Sequence, residues 1–155
     1  MEIAIEHLSE PTAEAAALIA ELDAVLGALY EPDQQHGLSL EQVFQPNVRF
    51  FIARVGDAAV GCGAVALFDD YAEVKRMYTR DAARGRGVGK ALLARIEREA
   101  RDAGKPVLRL ETGTEQMAAI GLYEGCGFHP CGPFGHYAGL PPSHIAASLF
   151  YEKPL

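Results

Sequence analysis

Hydrophobic residues follow two different periods along the first third of the chain. Residues 2–7 alternate between apolar and polar, which is typical of a strand with one buried face. Residues 11–30 instead carry apolar side chains every three or four positions, which predicts an amphipathic helix. A capped short helix is predicted to start at residues 39–42 and to end at Pro46. The chain is therefore expected to begin with a strand followed by two helices.

The middle of the chain predicts three strands in succession. Residues 48–55 and 58–68 flank Gly56-Asp57, a dipeptide that favours the tight turn of a β-hairpin. Residues 71–79 alternate again and form the fourth predicted strand. Because short turns join antiparallel neighbours, this part of the sheet is expected to consist of hairpins.

A helix and a strand alternate after residue 79. Residues 86–103 show helical spacing that Gly104 closes, and residues 106–112 follow as a fifth strand. Thr112 and Glu115 match a capping box. The next helix is therefore predicted to open at these residues and to continue to about residue 125.

The C-terminal part combines a loop with one more strand. Residues 127–128 restart an extended segment, residues 129–144 are rich in Gly, Pro and His, and residues 145–153 return as a last strand. Hairpins followed by strand–helix–strand crossovers predict an α/β (α+β) fold, in which a mixed sheet carries helices on both faces.

Composition narrows the class of protein. The 155 residues show no internal repeat or linker, which predicts a single domain over 1–155. No apolar run approaches the roughly 20 residues of a membrane span, and no leader pattern opens the chain. Three cysteines without a CxxC pair indicate reduced thiols and a cytoplasmic location. A net charge of −7 argues against nucleic acid as a partner, although basic residues cluster over 75–101, which suits a small polyanion.

A glycine-rich turn separates the fourth strand from the following helix. It reads Arg84-Gly85-Arg86-Gly87-Val88-Gly89-Lys90. Glycines allow close approach of the backbone and the helix N-terminus adds partial positive charge, so the turn is suited to bind phosphate. It is not a P-loop, because Ala91 follows Lys90 where a hydroxyl is needed. A nominal dinucleotide motif at residues 61–66 lies inside a strand, with hairpin glycines as the alternative explanation.

The turn fits the pattern R-x-x-G-x-G through Arg84, Gly87 and Gly89, and residues 122–128 match L-Y-x-x-x-G-F. With these two motifs in this order, the chain from about residue 48 onward resembles the GNAT superfamily of N-acetyltransferases. The alternative is a structural glycine turn followed by an ordinary helical tyrosine. The resemblance implies six or seven strands, with strands four and five splayed apart to hold the pantetheine arm of acetyl-CoA.

The resemblance also implies how acetyl-CoA, as co-substrate and without a metal, is held. Backbone N–H groups of Gly85 through Lys90 would surround the pyrophosphate, and Arg84 and Arg86 would add charge. Backbone groups of Met77 and Thr79 would pair with pantetheine, and an N–H near Tyr78 would stabilise the oxyanion. Gln116 stands where relatives often carry Asn. The implied cofactor-binding residues are Met77, Tyr78, Thr79, Arg84, Gly85, Arg86, Gly87, Val88, Gly89, Lys90 and Gln116.

Two catalytic residues are implied by the same resemblance. Tyr123 would donate a proton to the departing thiolate, and its alternative role is a half-buried core tyrosine. Glu73 lies eleven residues before Arg84, the spacing of the base in histone-type members, and would deprotonate the amine. Its alternative is a surface acid beside Asp69 and Asp70, with water chains serving as the base.

The acceptor is expected to be a primary amine of a small molecule. Its pocket is predicted between residues 30–46 on one side and the histidine-containing loop, with Phe134 and Tyr137, on the other. The histidines and Cys131 of this loop match no standard metal spacing. Rival functions are acetylation of a protein lysine or N-terminus, and acetyl-CoA sensing without turnover. An exposed last strand could pair two copies in a homodimer.

Overall fold

The computed structural model describes residues 2–155, which form seven strands and four α-helices joined by turns and short 3₁₀ segments. The strands are β1 (Ile3–Leu8), β2 (Val48–Val55), β3 (Ala58–Leu67), β4 (Ala72–Thr79), β5 (Val107–Gly113), β6 (His129–Pro130) and β7 (Ser148–Pro154). The helices are α1 (Ala13–Leu29), α2 (Val88–Asp102), α3 (Met117–Gly125) and the single turn α4 (Pro142–Ile145).

All seven strands lie in one mixed sheet in the order β1-β2-β3-β4-β5-β7-β6. Neighbouring strands pair antiparallel except β4 and β5, which run parallel. The β4–β5 ladder contains three residue pairs and ends at Val74 and Leu110, although β4 continues to Thr79 and β5 to Gly113. The predicted mixed sheet and the splay of its two central strands are therefore confirmed.

Helices cover both faces of the sheet, as predicted. On one face α2 and α3 bury Leu92, Ile96 and Tyr123 against strand residues such as Val65 and Leu108. On the opposite face α1 packs its apolar stripe, including Leu18 and Ile19, against β2 and β3. Apolar residues spaced every three or four positions give each helix one buried face, and removal of that surface from water stabilises both layers.

A β-bulge interrupts β4 at the point where the sheet splits. Lys75 pairs with Ala64 and Tyr78 pairs with Cys62, so Arg76 and Met77 together face the single residue Gly63. Arg76 has a φ of 56°, in the left-handed region that side-chain-bearing residues rarely adopt. Bulges reorient the backbone and side chains around them, and this one lies beside the opening between β4 and β5.

The capping box expected at Thr112 is wrong. Thr112 and Gly113 still belong to β5, where they pair with β7, so α3 begins only at Met117. Gln116 occupies the N-cap position, and its side-chain Oε1 accepts the N–H of Gly113 at 3.0 Å. The helix does not begin at Thr112, because pairing with β7 satisfies the backbone hydrogen-bonding groups of Thr112 and Gly113.

Two further boundaries differ from the sequence pattern. The helix expected at residues 39–42 is a 3₁₀ turn, Gln42–Phe44. The last strand begins at Ser148 rather than at residue 145, because α4 occupies Pro142–Ile145. Among the residues that the structure describes, no helix has the length and apolar character needed to cross a membrane.

Candidate active site

A cavity of about 570 Å³ lies beside the C-terminal end of β4, beyond the last residue pair of the β4–β5 ladder. Its walls come from four parts of the fold: the end of β4, the glycine turn, α3 and the C-terminal half of α1. The residues of β4 and the turn that line it are Met77, Tyr78, Thr79, Ala83, Arg84, Gly85, Gly87, Val88, Gly89 and Lys90. Leu22, Val25 and Leu29 of α1 and Met117, Ala119 and Leu122 of α3 make much of the remaining wall apolar. We call this the large cavity.

The glycine turn owes its shape to two left-handed residues. Gly85 has a φ of 77° and Gly87, the N-cap of α2, has a φ of 84°. An L-amino acid in this conformation is strained by about 1–2 kcal/mol, so glycine is favoured at both positions. The turn presents the N-terminus of α2 to the large cavity, where unpaired backbone N–H groups favour an anion.

Ten of the eleven predicted cofactor-binding residues line the large cavity; Gln116 is among them. The exception is Arg86, which is exposed in the turn. Arg84 is half-exposed, and its Nε lies 3.2 Å from the carboxylate of Asp81. Thus Arg84 and Lys90 supply positive charge to the cavity wall, in a protein whose net charge is −7.

A second cavity of about 80 Å³ lies deeper and shares Leu22, Met77, Gln116 and Tyr123 with the large one. We call it the small cavity. It is polar: β4 contributes Glu73, Lys75 and Arg76, β5 contributes Glu111 and Thr112, and the segment after α1 contributes residues 34–37. The two cavities therefore meet at the four shared residues, of which Tyr123 is the one with a phenolic hydroxyl.

Glu73 is buried at the small cavity, with 2% of its side chain exposed. Its Oε2 accepts the Tyr137 hydroxyl at 2.6 Å and the ammonium of Lys75 at 3.3 Å. Lys75 also donates to the His36 carbonyl at 2.9 Å, which ties the segment after α1 to β4. The alternative interpretation of Glu73 as a surface acid is therefore wrong. Burial, followed by the neighbouring Glu73 charge, raises the pKa of Tyr137, so its phenol remains a donor.

Tyr123 is a core residue that also lines both cavities. Its ring is 5% exposed and packs edge-on against Phe128, with ring centroids 5.9 Å apart, so it is part of the core. The same residue lines both cavities. Burial, followed by the charge of Glu111, raises the pKa of Tyr123. The phenol is therefore protonated at neutral pH and can donate.

Glu111 is a site residue that sequence reasoning did not select. Ser148 of β7 donates its hydroxyl to Glu111 Oε2 at 2.6 Å. Burial raises the pKa of Glu111, an effect that the Ser148 hydrogen bond partly opposes. Strand alternation could have pointed to it, because Leu108 and Leu110 face the α2 layer and Glu111 therefore faces the other side.

Arg76 is the second residue that sequence reasoning missed. Its guanidinium forms an ion pair with Asp23 of α1, and its Nε is buried without a hydrogen-bond partner among the described residues. It lies directly over Gly37, where a Cβ would collide with the guanidinium. A β-bulge cannot be predicted from strand alternation, so nothing in the sequence indicated that the Arg76 side chain would lie at the small cavity.

Only some of the residues predicted to form the walls of an acceptor pocket line a cavity. Residues 34–37 do line the small cavity, as expected for the segment after α1. Phe134 and Tyr137 line neither cavity; they form an aromatic cluster with Tyr71 and Phe150 behind Glu73. Within residues 2–155 no three His, Cys, Asp or Glu side chains converge as metal ligands would.

Comparison with known proteins assigns the class of this fold and cleft. The model of the acetyltransferase (GNAT) family matches residues 15–128. An IAA acetyltransferase of Azospirillum brasilense is 48% identical over 140 residues, which are 89% of this chain and 88% of that protein. The chain belongs to the GNAT family of acetyltransferases, and it is an acyltransferase.

Solved structures agree with this assignment. A Klebsiella pneumoniae protein described as an acyl-CoA N-acyltransferase is 37% identical to this chain. The match has a TM-score of 0.82 and covers 99% of this chain and 97% of that one. The PaiA N-acetyltransferase of Thermoplasma acidophilum, solved in complex with coenzyme A, covers 100% of both chains with a TM-score of 0.73. At 16% identity its likeness is one of fold.

Proposed function

We propose that this acetyltransferase transfers acetyl from acetyl-CoA to the primary amine of a small molecule, by direct attack while both substrates are bound. The observation that carries the proposal is the junction of the two cavities at Tyr123. One cavity is large, mostly apolar and bordered by a glycine turn at a helix N-terminus, whereas the other is small and lined by charged residues that include two carboxylates. Two different ligands that meet at one side chain are what a transfer between them requires.

The residues that line the large cavity support acetyl-CoA as its ligand. The turn at Gly85 and Gly87 offers backbone N–H groups to a pyrophosphate, and Arg84 and Lys90 add charge. Beyond Val74 the backbone of β4 has no β5 partner, so groups of Met77 and Thr79 can pair with the pantetheine amides. Acetyl-CoA, when bound, supplies the activated thioester, and an N–H near Tyr78 would stabilise the oxyanion.

Tyr123 is assigned as the donor of a proton to the departing thiolate. Its raised pKa keeps the phenol protonated at neutral pH, and its ring is fixed by the core. On the acceptor side an ammonium must lose a proton before it can attack. Glu73, the base predicted from the sequence, and Glu111 are the two carboxylates in the wall of the small cavity.

The size of the small cavity favours a small acceptor over a protein lysine. A volume of about 80 Å³ holds a few non-hydrogen atoms, and residues 34–37 close it on one side. The Lys75 bond to the His36 carbonyl and the His36 Nε2 contact of 2.8 Å with the His144 carbonyl hold this segment in place. The carboxylate of Glu111 in this wall can also attract a cationic amine. The name of the Azospirillum relative contains IAA, so IAA should be tested as an acceptor together with the primary amines.

The variant Tyr123→Phe tests the proposal. We expect thiol release with a panel of primary amines to fall about 100-fold, the lower range for general acid catalysis, while the Kd for acetyl-CoA from calorimetry stays unchanged. Tyr151→Phe is the matched control, because Tyr151 donates to Glu124 at 3.0 Å and lines neither cavity. An unchanged rate in Tyr123→Phe would refute its role, and a folded wild type that does not bind acetyl-CoA would refute the function.

A further inference from the structure

Glu111 lies at the point where the sheet splits. The last paired residues of β4 and β5 are Val74 and Leu110, so Glu111 is the first residue of β5 without a partner on β4. Had pairing continued, Lys75 would lie opposite it. Because the strands diverge instead, the space beside Glu111 is part of the small cavity.

The other carboxylate of the small cavity, that of Glu73, already accepts two hydrogen bonds. Glu73 Oε2 accepts both the Tyr137 hydroxyl and the Lys75 ammonium, and only 2% of the side chain is exposed. Lys75 neutralises its charge at 3.3 Å. A carboxylate held in a buried ion pair has little attraction left for a second cation.

Glu111 is held differently. One oxygen, Oε2, accepts the Ser148 hydroxyl at 2.6 Å, a neutral donor that orients the carboxylate without cancelling its charge. Its electrostatic neighbours lie on five parts of the chain. They are Tyr30 at the end of α1, His36, Glu73 and Lys75 on β4, Tyr123 on α3, and Tyr137. Glu111 therefore sits within electrostatic reach of the predicted proton donor at the cavity junction.

We propose that Glu111, and not Glu73, binds the acceptor ammonium and removes its proton. The assignment rests on the proposed function. The proton passes from the R–NH₃⁺ group to the Glu111 carboxylate, and the freed lone pair adds to the thioester carbonyl to form the C–N bond and an oxyanion. The C–S bond breaks when the carbonyl re-forms. Tyr123 protonates the sulfur and regains a proton from the nitrogen of the new amide, so the net product is an amide, a thiol and one proton from Glu111.

The pKa of Glu111 is raised by burial, which suits a carboxyl that must accept a proton near neutral pH. Glu73 takes a positioning role in this scheme. Its pair with Lys75 fixes the His36 carbonyl, and with it the segment that closes the small cavity.

Two small acceptors separate proton removal from other effects of mutation. Ethylamine is an ammonium at pH 7 and must be deprotonated, whereas hydroxylamine is mostly neutral and needs no base. In Glu111→Gln we expect thiol release with ethylamine to fall about 100-fold, while the rate with hydroxylamine changes less than about threefold. In Glu73→Gln we expect both rates to change by the same factor. The Kd for acetyl-CoA should be unchanged in Glu111→Gln.

Ser148→Ala gives a pH signature that a structural role would not produce. Loss of the Ser148 hydroxyl removes a bond that lowers the pKa of Glu111. The acidic limb of the ethylamine profile of kcat/KM should therefore move to higher pH. Equal losses with both acceptors in Glu111→Gln, or a loss selective for ethylamine in Glu73→Gln, would overturn the proposal.

Carboxyl ¹³C NMR provides a readout that needs no turnover. The Glu111 resonance, identified by its absence in Glu111→Gln, should shift when ethylammonium chloride is added to the coenzyme A complex. No shift would overturn the assignment even if acetyl-CoA binds normally. A wild type that does not bind acetyl-CoA would instead overturn the proposed function, and the assignment with it.

Discussion

The two cavities are built in different ways, although Tyr123 belongs to both. The large cavity owes its anion-binding end to seven consecutive residues, 84–90, whose backbone conformation does the work. The small cavity is assembled from side chains far apart in the sequence, such as His36, Glu73, Glu111 and the supporting Tyr137. The comparison teaches that the proposed cofactor site is locally encoded, whereas the proposed acceptor site depends on tertiary packing.

The largest effect should come from breaking the locally encoded part. Gly87→Glu forces a left-handed residue to carry a side chain and places negative charge at the anion-binding end of the large cavity. We expect acetyl-CoA binding to weaken at least about a thousandfold, or roughly 4 kcal/mol, because like charges brought together cost several kcal/mol. Isothermal titration calorimetry measures this loss.

Gly104→Glu is the matched control for Gly87→Glu. Gly104 also has a positive φ, 74°, and follows the opposite end of α2. Both variants should lose about 1–2 kcal/mol of stability to backbone strain, but Gly104→Glu should bind acetyl-CoA as the wild type does. Equal loss of binding in both variants would mean that helix stability, and not the turn, governs the site.

The next effect concerns the small cavity. Lys75→Met leaves the buried Glu73 carboxylate with Tyr137 as its remaining hydrogen-bond donor. We expect a loss of about 3 kcal/mol in the free energy of unfolding, measured with urea at pH 7. The reason is that removal of the Lys75 ammonium leaves the buried Glu73 carboxylate without an opposite charge. Acetyl-CoA affinity should change by less than about threefold, since Lys75 does not line the large cavity.

The double variant Lys75→Met/Glu73→Gln distinguishes charge from packing. Once the carboxylate is replaced by a neutral amide, no charge is stranded, and most of the lost stability should return. A double variant as unstable as Lys75→Met alone would show that the lysine acts through its packed aliphatic chain.

The smallest effect is a pH dependence at Glu111. Burial raises the pKa of this carboxyl in the folded state above its unfolded value, so ionisation costs stability as pH rises above the ordinary glutamate range. Glu111→Gln cannot ionise. Its Tm, relative to the wild type, should therefore be higher at pH 7.5 than at pH 4. Thermal unfolding at both values measures this, with the exposed Glu10→Gln as control; a constant difference would contradict burial of the charge.

The sequence predicts the large cavity well because its determinants are local. Glycines and arginines in residues 84–90, and the alternation of β4 before them, are contiguous signals. The mixed sheet of six or seven strands and the splay of strands four and five were predicted, and the structure confirms both, whereas the position of β7 between β5 and β6 was not predicted. The catalytic and cofactor-binding roles remain predictions that the experiments above test.

The small cavity could not be predicted in the same way. Nothing near Tyr137 in the sequence shows that it donates to Glu73, 64 residues away. Strand alternation places Glu111 on the face opposite Leu108 and Leu110, but it does not show that β7 brings Ser148 to the carboxylate. The bulge at Arg76 depends on pairing with β3. The capping box predicted at Thr112 does not form, because Thr112 pairs with β7 instead. Each of these is a long-range contact that local pattern does not contain.

The short β4–β5 ladder also has a mechanical consequence. With three residue pairs at that boundary, the sheet consists of two plates, β1–β4 and β5–β7, joined at a narrow seam. The N-terminal strand belongs to one plate and the C-terminal strand to the other. A stretching force applied between the two ends therefore crosses this seam. The force is carried there by fewer backbone hydrogen bonds than in the other ladders between β1 and β7. The split proposed to make room for a substrate is thus also the shortest ladder that such a force would cross between β1 and β7.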